Sequence, residues 1–289
     1  MINKKFNYFI HSHFPGVLSF AEESTSWGGV TKSEQEDGLG FDYKWNMGWM
    51  NDTLSYIEKD PIHRKYHQGD LTFSMVYAFS ERFILPFSHD EVVHMKKSML
   101  SKMTGDDWQK FANLRLLYTY MFAHPGAKLL FMGAEFGQWQ EWNDAQSLDW
   151  HLSEYADHQR IQQLVTDLNA LYRKEESLHA LDHNWQGFQW IDFNDADNSI
   201  ISFVRKSKQS GENVVVVLNF TPTVHRDYRV GVPSVGEYEV IFNSDSEFYG
   251  GSNVGPDHLF AQADDLHGMP ASLQVSIPPL AGLMLKLKN

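Results

Sequence analysis

Residues 17–27 read VLSFAEESTSW, and five mostly apolar residues run straight into two adjacent carboxylates, Glu22 and Glu23. The pattern occurs twice more. FILPF (83–87) leads into Ser88-His89-Asp90-Glu91, and KLLFM (128–132) leads into Gly133-Ala134-Glu135. A strand end holds a carboxylate rigidly, and apolar neighbours favour its protonated form, so such a group can act as an acid. Two carboxylates flanking a scissile bond are what glycoside chemistry uses, one as acid and base, the other as nucleophile or charge stabiliser. The plainer account is that each acid caps the helix that follows, where the dipole favours it. Three acid-bearing ends in one chain, one of them carrying His-Asp, bring the two accounts level. No metal site is expected. His89 and His94 are five apart, which misses the i, i+4 spacing of a helical zinc pair, and His11 and His13 flank a serine in what reads as a loop.

The runs that end in these acids must be strands, and their composition fits strands covered on both faces of a parallel sheet. Between the last two lies WQKFANLRLLYTYMF (108–122), with Trp108, Phe111, Leu114, Tyr118 and Met121 at helical spacing. Asp106 and Asp107 mark its start and Pro125-Gly126 its stop. A second helix is expected over about 158–174, with Ile161, Leu164, Val165, Leu168, Leu171 and Tyr172 on one face. Strands alternating with helices predict βα units. If those units curl into a barrel, the strand ends converge on one rim and distant acids meet there. After about residue 180 the texture changes. FQWIDF, SIISFV, NVVVVLNF, GEYEVIF, LQVSI and GLMLKLK are short β-type runs separated by Gly, Pro, Asn and Asp, which predicts an antiparallel β domain.

At 289 residues the chain has room for two domains and a sizeable core. The net charge of −13 argues against nucleic-acid and anionic-membrane partners, which need basic patches. No apolar run approaches the roughly 20 residues that span a bilayer, and MINKKFNYFIHSHFPG does not read as a signal peptide. The absence of cysteine removes disulfides and thiolate metal sites and fits a cytoplasmic protein. Aromatic content is 14%, with nine Trp, which supplies core packing or a surface for flat, uncharged ligands such as sugars.

Several longer stretches carry more than pattern. AEEST (21–25), LPFSHDEVVH (85–94), LLFMGAEFGQWQEWN (129–143) and SLDWHL (147–152) resemble bacterial 1,4-α-glucan branching enzymes, members of the α-amylase superfamily of glycoside hydrolases. GLGFDYKWNMGWMNDTL (38–54), KYHQGDLTF (65–73), NFTPTVHRDYRVGVP (219–233) and SIPPLAGL (276–283) are similar to the same family, in the same order. The resemblance runs from about residue 17 to the end. It implies that residues 1–178 are the C-terminal half of a (β/α)₈ TIM barrel, about strands five to eight, and that residues 179–289 are an antiparallel β-sandwich. It implies a retaining enzyme that cuts an α-1,4-glucan and transfers the segment to a 6-hydroxyl, making the α-1,6 branches of glycogen, without a cofactor. Glu22 then matches the general acid/base, Asp90 the transition-state stabiliser, and His89 a substrate hydrogen-bonder; Glu23 carries no family role and reads as structural.

The family's nucleophile is an Asp in a DGxRxD-type motif on the strand before AEEST. MINKKFNYFIHSHFPGV contains no Asp, so the nucleophile and the first half of the barrel are expected to lie outside these residues. Three readings stay open: a branching-enzyme portion inactive alone, a two-chain enzyme completed by a complementary N-terminal fragment, and a non-catalytic glucan-binding protein. An α-amylase-type hydrolase is the alternative within the enzyme class.

Overall fold

In a computed structural model, residues 2–209, 211–255 and 258–288 are described. The chain opens with helix α1 (Ile2–His13), so His11 and His13 lie on a helix, not in the expected loop. Three contacts hold that helix: Asn7 Nδ2 donates to Leu39 O at 2.8 Å, His11 Nε2 lies 2.9 Å from Asp42 Oδ2, and Lys4 reaches Asp37.

Four short strands follow: β1 (Phe20–Ala21), β2 (Tyr43–Trp45), β3 (Phe83–Phe87) and β4 (Ala127–Leu130). They form one all-parallel sheet in the order β1-β2-β3-β4. The connection from β1 to β2 has only a one-turn helix, Glu34–Glu36, where an α-helix would be usual. Between β2 and β3 lie α2 (Met47–Ile57), α3 (Pro61–Arg64) and α4 (Gln68–Thr72); between β3 and β4 lie α5 (Met99–Lys102) and α6 (Asp107–Ala123). α6 starts on a capping box in which Asp106 accepts from Gln109 N at 2.9 Å. It is buried on every side from Phe111 to Ala123, because the parallel sheet lies on one side and the β domain on the other. α7 (Ala156–Lys174) buries the expected Ile161, Leu164, Val165 and Leu168.

Two of the three acid-bearing strands are not covered on both faces as their sequence predicts. β3 is buried throughout, but β1 shrinks to two residues, with Val17, Leu18 and Phe20 51%, 51% and 49% exposed. β4 is half-buried along its length, and Met132 just beyond it is exposed. The reason is position. β1 and β4 are the sheet's two edges, and an edge strand lacks the neighbour that would pair its backbone and shield its side chains. β2, absent from the pattern reading, is three residues with a lysine at its centre, too short and too polar to show a period.

The C-terminal part is antiparallel. β5 (Phe188–Asp192), β6 (Ile200–Lys206), β7 (Asn213–Asn219), β9 (Gly236–Asn243), β10 (Leu259–Ala261) and β12 (Ala281–Leu287) make a six-stranded sheet in the order β10-β9-β12-β7-β6-β5. β8 (His225–Val232) and β11 (Ala271–Ile277) pair as a ribbon over one face. Phe203, Val214, Val216, Leu218 and Met284 share a core with α6 and α7, whereas Val204, Val215, Val217 and Leu283 share one with Val230, Val232 and Leu273 of the ribbon. Being covered on both faces, β7 can be a near-continuous valine run. Where β12 crosses α6, only glycine fits. A Cβ on Gly282 would stand 2.6 Å from Leu218 Cδ2 and 2.7 Å from Thr119 Cγ2.

Candidate functional site

Side chains alternate along a strand, and parallel register carries that alternation across the sheet. Ala21 pairs with Lys44 and Lys44 with Phe83, so these three share one face. Phe20, Tyr43 and Ile84 belong to the other. The face of Ala21, Lys44, Phe83, Leu85 and Phe87 is buried against helices. Continued past β1, the alternation sends Glu23 to that helix side and Glu22 to the side of Phe20. The adjacent acids therefore have different fates.

Glu23 is tied down. Its Oε2 is 2.7 Å from Lys44 Nζ, and its Oε1 accepts from Thr25 N at 2.7 Å. Lys44 Nζ also donates to Thr25 O at 2.9 Å. Partial burial would raise the Glu23 carboxyl, but hydrogen bonds from Lys44 and Thr25 outweigh it and hold it down at about 2. It is a permanent anion that fixes the turn after β1. Glu22 is exposed. The apolar cover expected around it is not supplied here, because the strand that carries it lies at the sheet's edge.

The end of β3 is built differently. Ser88 caps a one-turn helix, His89–Glu91. Buried Glu91 accepts from Ser88 N at 2.7 Å and from Ser88 Oγ at 2.6 Å, closing a capping box. That lock leaves His89 and Asp90 projecting half-exposed, with His89 Nε2 3.2 Å from Asp90 Oδ1. The His89 ring lies 5.9 Å from that of Phe131 beyond β4. Asp90 also lines a cleft of about 350 Å³ with Asn51, Glu58, Lys96 and Lys102. At the end of β4, Gly133 and Gly137, at φ +86° and +67°, bracket the turn that carries half-buried Glu135.

All these groups stand at C-terminal ends of parallel strands, hence on one rim. Glu22 and Asp90 are separated laterally by two strand spacings, about 10 Å. Sequence reasoning missed three supporting residues. Glu91 is legible as the S-x-x-E of SHDE. Lys44 leaves only the oddity of a lysine inside YKW. Glu141 leaves no local signal, because it acts across the fold: its carboxylate accepts from Met95 N at 2.9 Å and Lys97 N at 2.6 Å. These bonds hold a strained loop next to Asp90, in which His94, Met95 and Lys97 have φ of +57°, +67° and +68°. Among the described residues no cluster of His, Asp and Glu could hold a metal ion, and no helix is long and apolar enough to cross a membrane.

The comparisons with known proteins agree with one another. The alpha amylase C-terminal all-beta domain matches residues 190–288. The 1,4-alpha-glucan branching enzyme of Cellvibrio japonicus is 55% identical over 285 residues, covering 98% of this chain and 38% of that protein. That of Aquifex aeolicus is also 55% identical, covering 98% and 45%. The chain thus spans about two fifths of the length of these relatives. In structure it is similar to the Nostoc punctiforme debranching enzyme in its native form, with a TM-score of 0.66 at 14% identity over 98% of this chain and 54% of that one. The α-amylase from H. orenii gives 0.60 at 14% identity over 99% and 56%. At such identities the likeness speaks for the fold alone. By sequence, the chain belongs to the family of bacterial 1,4-alpha-glucan branching enzymes and corresponds to their C-terminal part.

Proposed function

We propose that this chain is the C-terminal portion of a cytoplasmic, retaining 1,4-α-glucan branching enzyme. Its parallel sheet, within residues 1–178, is the second half of a (β/α)₈ barrel, and residues 179–289 are the β-sandwich that follows. Glu22 is the general acid/base, Asp90 the transition-state stabiliser, and His89 a hydrogen-bond donor to a sugar hydroxyl. The observation that carries the reading is the shared rim: Glu22 and His89–Asp90 end strands of one parallel sheet whose two edges are under-covered.

The chemistry follows from the groups. Glu22 protonates the leaving glycosidic oxygen and later deprotonates the incoming 6-hydroxyl. Ionised Asp90 opposes the positive charge of the oxocarbenium-like transition state. Covalent retention requires a further carboxylate about 5–5.5 Å from the acid. We assign that nucleophile to the complementary barrel half, encoded outside these 289 residues. The same half would cover Phe20 and Met132 and bury Glu22.

The 289-residue chain alone is expected to leave the iodine absorbance of amylose unchanged, and together with the N-terminal portion of a family member to lower it. Branching by the isolated chain would refute the nucleophile assignment. In the complemented enzyme Glu22→Gln is expected to abolish turnover, and near-normal activity of that variant would remove Glu22 from the acid role.

A further inference from the structure

The helix side of the parallel sheet, opposite to Glu22, carries a pocket of about 580 Å³, a size typical of small-molecule sites. Glu23, Lys44 and Phe83 line it, all on the covered face. The space is there because the β1–β2 connection lacks the long helix that would ordinarily cover this part of the sheet. Phe73, Tyr77 and Phe83 make a run of aromatic rings along it, with successive centroids 5.9 Å and 6.2 Å apart. Phe73 is 59% exposed, and Trp27, which also lines the pocket, is 49% exposed.

Asp52 of α2 belongs to the same lining. Burial, and then the charge of Asp52, push the Tyr77 phenol up to about 12, which sets that carboxylate close to the aromatic run. Asp52 is half-buried, its oxygens are open to solvent, and among the described residues they have no hydrogen-bond or ion-pair partner. Burial, and then the charge of Asp70, raise its carboxyl above the ordinary aspartate range. A cation in the pocket would favour the charged form. The remaining charges are already used. Lys44 Nζ is 2.7 Å from Glu23, and Glu81 accepts from Val30 N at 2.9 Å and Thr31 N at 2.8 Å. An anionic ligand would find no free cation in this lining. A primary ammonium brings three N–H donors to one free carboxylate. A quaternary ammonium has no donor to satisfy, and its methyl groups suit aromatic rings.

We propose that this pocket binds a quaternary ammonium group, with its methyl groups against Trp27 and Phe73 and its charge facing Asp52. The aromatic rings supply cation–π attraction, and the carboxylate supplies the counter-charge. The site lies on the opposite side of the sheet from the rim and does not rest on the catalytic reading.

The test is calorimetric titration of the 289-residue chain with choline. Two ligands with the same hydroxyethyl arm serve as comparisons: ethanolamine, a primary ammonium, and the neutral alcohol in which carbon replaces the nitrogen of choline. Saturable choline binding in the millimolar range is expected, with each comparison ligand about fivefold weaker or more. Asp52→Asn keeps the shape and removes the charge; Trp27→Ala removes one ring. Each should weaken choline binding about fivefold or more, with thermal unfolding unaltered. Asp52→Asn should also erase the advantage of choline over the neutral alcohol, which a general loosening of the pocket would not do. No choline binding by the native chain, equal binding of the neutral alcohol, or full choline affinity in Asp52→Asn would each overturn the proposal. Tighter binding of ethanolamine than of choline would overturn the ligand class.

Discussion

Asp182→Ala is expected to be the most damaging single change outside the hydrophobic core. Asp182 and Arg205 form an ion pair at 2.5 Å, with side chains 4% and 0% exposed. Arg205 also donates to Ala123 O at 2.6 Å and Leu178 O at 3.1 Å, tying β6 to the end of α6 and the segment after α7. Tyr172 donates its hydroxyl to the other Asp182 oxygen. Removing the carboxylate leaves a guanidinium in the interior without its counter-ion and a half-buried phenol without its acceptor. Breaking a buried pair from one side costs about 3–5 kcal/mol. At about 2–4 °C per kcal/mol for chains of a few hundred residues, the melting temperature should fall by roughly 10 °C. Urea unfolding and calorimetry measure both quantities. The double variant Asp182→Leu/Arg205→Met should recover much of the loss, because it removes the stranded charge with its partner. A loss below about 1 kcal/mol in Asp182→Ala, or a double variant worse than the single, would refute the reasoning by showing that water reaches Arg205.

Three further outcomes follow from the same packing. Burial first, then the charge of Arg205, push the Lys128 amine down to about 7, against the pull of Asp182. Its unfolded pKa is near 10.4, so the unfolded chain binds more protons between those values and stability should rise with pH across about 7–9.5; in Lys128→Met, urea midpoints measured over that window should lose most of this rise. Gly282→Ala should cost about 1–3 kcal/mol by forcing β12 away from α6, read as a lower urea midpoint at constant slope. Glu141→Ala should speed hydrogen exchange at Met95 and Lys97, whose amides hold the Glu141 carboxyl below its usual range, and unchanged exchange would show that the strained loop needs no clamp.

Much of the architecture was legible in the residues. The Asp106 start and the apolar spacing of 108–122 located α6, and the valine run located β7. β8 was not legible, since HRDYRVGV does not alternate and its first residues are largely exposed. The strand VLSFA was over-read for a different reason. Its composition describes a strand with neighbours on both sides, whereas β1 has β2 alone.

The candidate site divides in the same way. Residue types and order were enough to place carboxylates at strand ends, to exclude thiolate chemistry, and to spell the Ser88–Glu91 box. They could not say which of Glu22 and Glu23 is free. That depends on register, because a one-residue slip in pairing with β2 would exchange the two faces and hand Lys44 to the other acid. Nor could they reveal Glu141, whose partners Met95 and Lys97 lie 46 and 44 residues away along the chain. Chemistry-bearing types and local caps are written in neighbouring residues, while the direction a side chain takes and the partner it meets are set by strands and helices that only the folded chain brings together.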